Sequence, residues 1–199
     1  MATSTQHDKT FFNTLMVATG IFLSRIAGLI RDRVFAHFLG NSDAADAFRA
    51  AFRIPNFLQN LFGEGVLSAS FIPVYAKLIA QNKHDEAAKV ANAIAGILSL
   101  LISTLVFIGI VITPFLIAVI APGFEGQKRE LTITLVRILF PGAGVLVFSA
   151  WCLGILNSHG KFFLSYSAPV VWNVVIIITL ILFGDSSSQD ELAKYAAAG

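Results

Sequence analysis

Arg25, Arg31, Asp32, Arg33, Asp46, Arg49 and Arg53 crowd together near the start of a 199-residue chain that is 56% hydrophobic and only 13% charged. A guanidinium is a rigid, permanently charged fork of donors that grips phosphate or carboxylate oxygens in pairs. At membrane depth such charge is costly, so it faces a water-filled cavity or a partner and marks a transport path. The arginines here outnumber the acids. Asp32 and Asp46 supply some of the acceptors a buried arginine needs, and a phosphate or pyrophosphate would meet the guanidinium left over.

Residues three, four and seven apart share one face of a helix. Arg25, Gly28 and Asp32 meet that spacing in a first helix. Asp46, Arg49, Arg53, Asn56 and Asn60 meet it in a second, with Glu64 one turn further on. Phe48, Phe52 and Leu58 fall away from this stripe, free to face lipid or neighbouring helices. Two adjacent helices thus present polar, net cationic faces to a shared space. The competing arrangement puts the arginines at the membrane surface, snorkelling to headgroups, with Asp46 paired to Arg49 across one turn.

The elements that would position these residues are membrane helices. A mean hydropathy of +0.75 exceeds what a soluble core requires, and a helix crosses the hydrocarbon layer with about 20 apolar residues. On that ruler the first span covers 10–38, and Gly40-Asn41-Ser42-Asp43 is a turn in which Ser42 or Asp43 caps the next helix. The second covers 44–62, with a kinked extension to 79, because Pro55 and Pro73 each remove a backbone donor and crowd the preceding turn. Residues 81–89 read as a solvated connection. Further spans follow at 90–121, with Pro114 as kink or exit, at 131–156, with a weak point at Pro141-Gly142, and at 162–183. A polar loop fills 184–191, and 193–199 begins a sixth helix. The expected fold is therefore an all-α, polytopic transmembrane helix bundle. The polar leader before Thr10 and the arginines behind the first apolar run favour a retained first helix over a cleaved signal peptide. An N-terminus inside is preferred, since the arginines that argue for the opposite topology belong to the cavity wall.

Several chemistries are set aside. A net charge of +2 with no basic block excludes a nucleic-acid partner. The single cysteine, Cys152, sits in an apolar run and allows neither an internal disulfide nor a thiolate metal cluster. Gly154 to Lys161 is one residue too long for a phosphate-cradling loop and has Phe162 where a hydroxyl should bind magnesium. His7, His37, His84 and His159 are too scattered for a metal site. Trp151 and Trp172 lie in apolar spans as packing residues. No cofactor and no covalent chemistry are implied.

Ser24-Arg25-Ile26-Ala27-Gly28, Arg31-Asp32, Asp46-Ala47-Phe48, Arg53-Ile54-Pro55-Asn56 and Glu64-Gly65, in this order and spacing, resemble the MurJ/MviN family of lipid II flippases in the multidrug/oligosaccharidyl-lipid/polysaccharide exporter superfamily. The resemblance implies a multi-pass protein of the bacterial inner membrane that moves the lipid-linked peptidoglycan precursor from cytoplasmic to periplasmic leaflet by alternating access. It also implies that the chain is the first lobe of a two-lobe fold, its partners being that precursor, membrane lipids and the C-terminal lobe of the same polypeptide. Arg25 and Arg31 match arginines that bind pyrophosphate in the family, Asp46 a functional acid, and Arg53 a basic position before Pro-Asn. Asp32, Arg49, Asn56 and Glu64 complete the expected substrate-binding set. One departure stands out: several members carry arginine shortly after Pro-Asn, where this chain has Gln59-Asn60; either another arginine, with Arg49 the candidate, supplies that charge, or pyrophosphate is held differently here. The alternatives are an exporter of another lipid-linked oligosaccharide or a drug, and a non-transporting scaffold that binds anionic lipid.

Overall fold

The computed structural model describes the backbone of residues 2–160 and 162–198, and side chains within these except at 2–17, 55, 59, 63–66, 68 and 162–169. Every element among the described residues is helical: α1 (Ala2–Phe38), α2 (Asp43–Leu58), a π-helical segment (Gln59–Phe71), α3 (Ile72–Ala80), α4 (His84–Ile120), α5 (Gly126–Ser158), α6 (Phe162–Phe183) and α7 (Gln189–Ala198). The chain is an all-α helical bundle. Among the described residues, α4 and α5 are long and apolar enough to cross a membrane. At 1.5 Å per residue the 37 residues of α4 reach about 55 Å, well beyond the roughly 30 Å hydrocarbon layer.

Local signals explain the ends of these helices. Gly40 takes a left-handed φ of 54°, and its N–H donates to the Ala36 carbonyl at 3.1 Å, which closes α1. Ser42 then caps α2, its Oγ accepting from the Ala45 N–H at 3.2 Å. The sequence places a solvated connection over 81–89, yet α4 already begins at His84. Asp85 and Glu86 occupy its first turn, where the helix dipole favours negative charge. Likewise α7 begins inside the polar stretch 184–191. Ser188 Oγ accepts from the Glu191 N–H and Glu191 Oε2 accepts from the Ser188 N–H, a reciprocal capping box.

Pro55 and Pro73 do not interrupt the helical backbone, which runs unbroken from Asp43 to Ala80. The chain widens into the π segment after α2, and the turn that precedes Pro73 lies within it, a geometry that leaves room where that ring would crowd the backbone. Pro114 and Pro141 also lie inside continuous helices. The Pro114 carbonyl accepts from Arg129 Nη2 at 3.3 Å.

Two seams organise the bundle, α1 along α6 and α2 along α5. On α2 the stripe Ala44, Ala47, Ala51 and Ile54 is buried against Leu131, Leu135, Val136 and Leu139 of α5 in one cluster. Alanines let the two backbones approach closely, and in lipid, packing of small residues replaces the hydrophobic effect as the source of helix association. At Gly109 of α4 a Cβ would collide with the Phe140 ring, so that glycine is the socket for an α5 aromatic. A second cluster, around Leu67, Phe71, Tyr75 and Val147, lies at the opposite end. There Tyr75 Oη and His159 Nε2 share a hydrogen bond of 3.1 Å.

Candidate functional site: a cationic cleft between α1 and α2

The polar stripe of α2 runs at the same pitch as its alanine stripe but is offset by two residues, or about 200°. Burying Ala44, Ala47 and Ala51 on α5 therefore turns Asp46, Arg49, Arg53 and Asn56 outward. Because α1 leans on α6 while α2 leans on α5, a cleft of ≈ 360 Å³ opens between the first two helices. Its walls are Arg31, Asp32 and Phe35 from α1, Phe48, Arg49, Phe52, Arg53 and Asn56 from α2, and Ile176 from α6. A second hollow of ≈ 490 Å³ lies on the far side of the same two arginines, walled by Asp46, Ala50, the α4–α5 turn from Ile120 to Phe124, and Lys128. Arg49 and Arg53 form the ridge shared by both.

Each charged group has its own tether. Arg31 Nε and Nη2 donate to Asp32 Oδ1 at 3.1 and 2.8 Å, and its Nη1 donates to Asn173 Oδ1 of α6 at 2.9 Å. The Arg49 guanidinium lies 5.7 Å from the Phe35 ring centroid, within cation–π range. Among the described residues no carboxylate stands within 4.0 Å of Arg49 or Arg53. The Asp46–Arg49 pair of the competing membrane-surface arrangement does not form. Asp46 accepts from Lys128 Nζ at 2.7 Å instead, and Asp43 lies 3.0 Å from the same ammonium. Lys128 also sits 4.5 Å from the Phe124 ring centroid. The ammonium thus clips the first turn of α2 to the first turn of α5, in the wall of the second hollow.

The structure brings Arg31, Asp32, Arg49, Arg53 and Asn56 to one cavity and sets Asp46 at its neighbour. Arg25 lies on the Asp32 face of α1, seven residues or about 10 Å further along the axis. It is exposed and belongs to neither cavity wall. The Glu64 side chain, like that of Gln59, lies outside the described residues. Phe48 and Phe52, read as free to face lipid or neighbouring helices, also line the cleft, with ring centroids 5.7 Å apart, and Phe48 meets Phe35 of α1 at 5.1 Å.

Sequence reasoning missed Asn173 and Lys128. For Asn173 a signal existed: one amide in the apolar stretch Val170–Phe183 has to find a partner once buried. For Lys128 there was none, because its role depends on where the start of α5 arrives in space.

A helical bundle with membrane-length apolar elements and an arginine ridge between two hollows is the architecture of a polytopic membrane protein. The family described as "Lipid II flippase MurJ" matches residues 35–199. The chain belongs to the MurJ lipid II flippase family. Similar relatives include "Probable lipid II flippase MurJ" of Buchnera aphidicola (33% identical, covering 85% of this chain and 34% of that protein) and "Lipid II flippase MurJ" of Burkholderia cenocepacia (34%, covering 85% and 34%). That of Aquifex aeolicus is 33% identical and covers 95% of this chain and 38% of its own length. The chain thus spans about a third of the curated relatives it matches. A solved structure, "Lipid II flippase MurJ, inward closed conformation", superposes with a TM-score of 0.75 at 28% identity, covering 92% of this chain and 40% of that one.

Proposed function

We propose that this chain forms the first lobe of a flippase that carries lipid II from the cytoplasmic to the periplasmic leaflet of the bacterial inner membrane. The pyrophosphate of the cargo seats in the α1–α2 cleft. The observation that carries this reading is the pair Arg49 and Arg53, two guanidinium forks on one ridge with no carboxylate within ion-pair distance among the described residues. Beside them Arg31 supplies a third fork, already oriented, and Asn56 a neutral amide. A diphosphate offers the paired oxygens that such forks bind. Arg25 extends the positive face along α1, and Glu64 follows α2 in the π segment. Asp46 acts through Lys128 to hold α2 against the start of α5. Arg49 supplies the charge that the family resemblance places shortly after Pro-Asn, where this chain has Gln59-Asn60.

Binding alone moves nothing. Alternating access needs two conformations with different affinity for the cargo, and the second is built with the C-terminal lobe. The reaction is transport, with no bond made or broken.

Replacing Arg53 by lysine in the complete polypeptide tests the reading against that of an anionic-lipid scaffold. Lysine keeps the charge but loses the fork, so precursor binding should fall about tenfold or more, the worth of a charge-assisted hydrogen bond, and leaflet exposure of the precursor should fall with it. Unchanged binding and flipping in Arg53→Lys and in Arg49→Lys would sink the pyrophosphate site and leave the scaffold.

A further inference from the structure

The most distinctive polar contact in the bundle lies outside the cleft wall, at the seam of α1 and α6. Asn173 is only 6% exposed, in a helix whose described residues are otherwise almost all apolar. Its Oδ1 accepts from Arg31 Nη1 at 2.9 Å, and its Nδ2 lies 4.0 Å from where a Gly28 Cβ would sit. One turn of α1 therefore presents Gly28 as the floor and Arg31 as the donor to a single amide. Asp32 holds the opposite edge of the guanidinium through Nε and Nη2. The plane of the fork is thus defined from two sides.

We propose that Asn173 is a positioning residue for anion recognition: by pinning Nη1 it orients the Arg31 fork so that its remaining N–H groups meet the cleft at an angle suited to a diphosphate. This rests on the pyrophosphate reading given above and adds a residue on another helix to it. An amide suits this task better than a carboxylate. It orients the guanidinium without cancelling charge, whereas Asp32 has already offset one unit. A buried amide acceptor is also a costly thing to keep in an apolar helix unless its partner is always present. Removing it leaves the Arg31 charge in place but takes away one of the two ties that set the plane of the fork, leaving Asp32 alone to hold it. Charge alone attracts any anion, while a fixed fork favours the one whose oxygens match it.

The test uses the complete polypeptide, purified in detergent, and two probes, polyprenyl pyrophosphate and polyprenyl monophosphate. Asn173→Leu, close in volume, should weaken pyrophosphate binding about tenfold and monophosphate binding less than threefold, so that the preference between them narrows. In an Arg31→Ala background the same substitution should add nothing, because both act through one group. Equal losses for both probes, or full additivity with Arg31→Ala, would show that Asn173 only holds α1 to α6 and would overturn the proposal. Should Asn173→Leu fail to fold, Asn173→Asp serves in its place: it keeps the acceptor but adds a charge, and is expected to bind pyrophosphate more weakly than the parent. Parental or tighter binding by Asn173→Asp would equally overturn the inference. If Arg31→Ala binds pyrophosphate like the parent, the diphosphate reading of Arg31 fails as well; if Arg31→Ala loses binding and Asn173→Leu does not, the role of Asn173 alone is lost.

Discussion

The two seams of this bundle are built from opposite materials. Between α2 and α5 lies a run of alanines against leucines and valine, with Ala45, Ala47, Ala51 and Leu135 at 0% exposure. Between α1 and α6 the apolar contacts of Ile176 and Leu180 are joined by the Arg31–Asn173 hydrogen bond. A close-packed apolar seam tolerates no change of volume, while a seam with a polar link depends on one direction in space. The lesson is a division of labour. One wall of the cleft is fixed by shape and the other is aimed by a hydrogen bond.

Three perturbations separate these roles. The largest effect belongs to the apolar seam, where Leu135→Ala opens a cavity against α2 and should cost about 2–5 kcal/mol of stability, read as a fall in the melting temperature of the detergent-solubilised protein. A loss no bigger than that of an exposed substitution would mean that α2 and α5 are not tightly packed. Next comes Ala47→Leu, which overfills the same seam and should cost about 1–3 kcal/mol. It should also shift Arg49 and Arg53, so anion binding should drop even under conditions where the protein remains folded; parental binding in folded Ala47→Leu would uncouple the seam from the cleft. The smallest effect is expected of Lys128→Gln, which unclips two exposed carboxylates. It should leave the melting temperature nearly unchanged at high salt and lower it slightly at low salt, since exposed pairs are weak and screened. A loss that is large and independent of salt would show that the clip is more than a surface tie.

Much of the fold was legible because the apolar runs are long enough to read as helices one by one, and the pitch of Asp46, Arg49, Arg53 and Asn56 marked one face of α2 before any coordinates. What stayed hidden had specific causes. The widening ahead of Pro73 answers a steric problem that a helical wheel does not represent. Ser188 and Glu191 formed a capping box in a stretch whose polarity alone read as loop. Phe48 and Phe52 were read by angle as free to face lipid or neighbouring helices, and the pitch of α2 alone does not tell that they also line the cleft beside Phe35 of α1. Lys128 and Asn173 come from α5 and α6, and local periodicity along α1 and α2 carries no information about what those helices bring.

The π segment has one more consequence, for what this chain can lose. Its i to i+5 bonding accommodates a surplus residue in the coil, so deleting a single position between Gln59 and Phe71 can be absorbed by tightening one loop of backbone toward the ordinary α form. The same deletion a few residues earlier, between Arg49 and Arg53, would swing one arginine about 100° away from its neighbour. Length variation during evolution should therefore collect in the wide stretch and spare the narrow one.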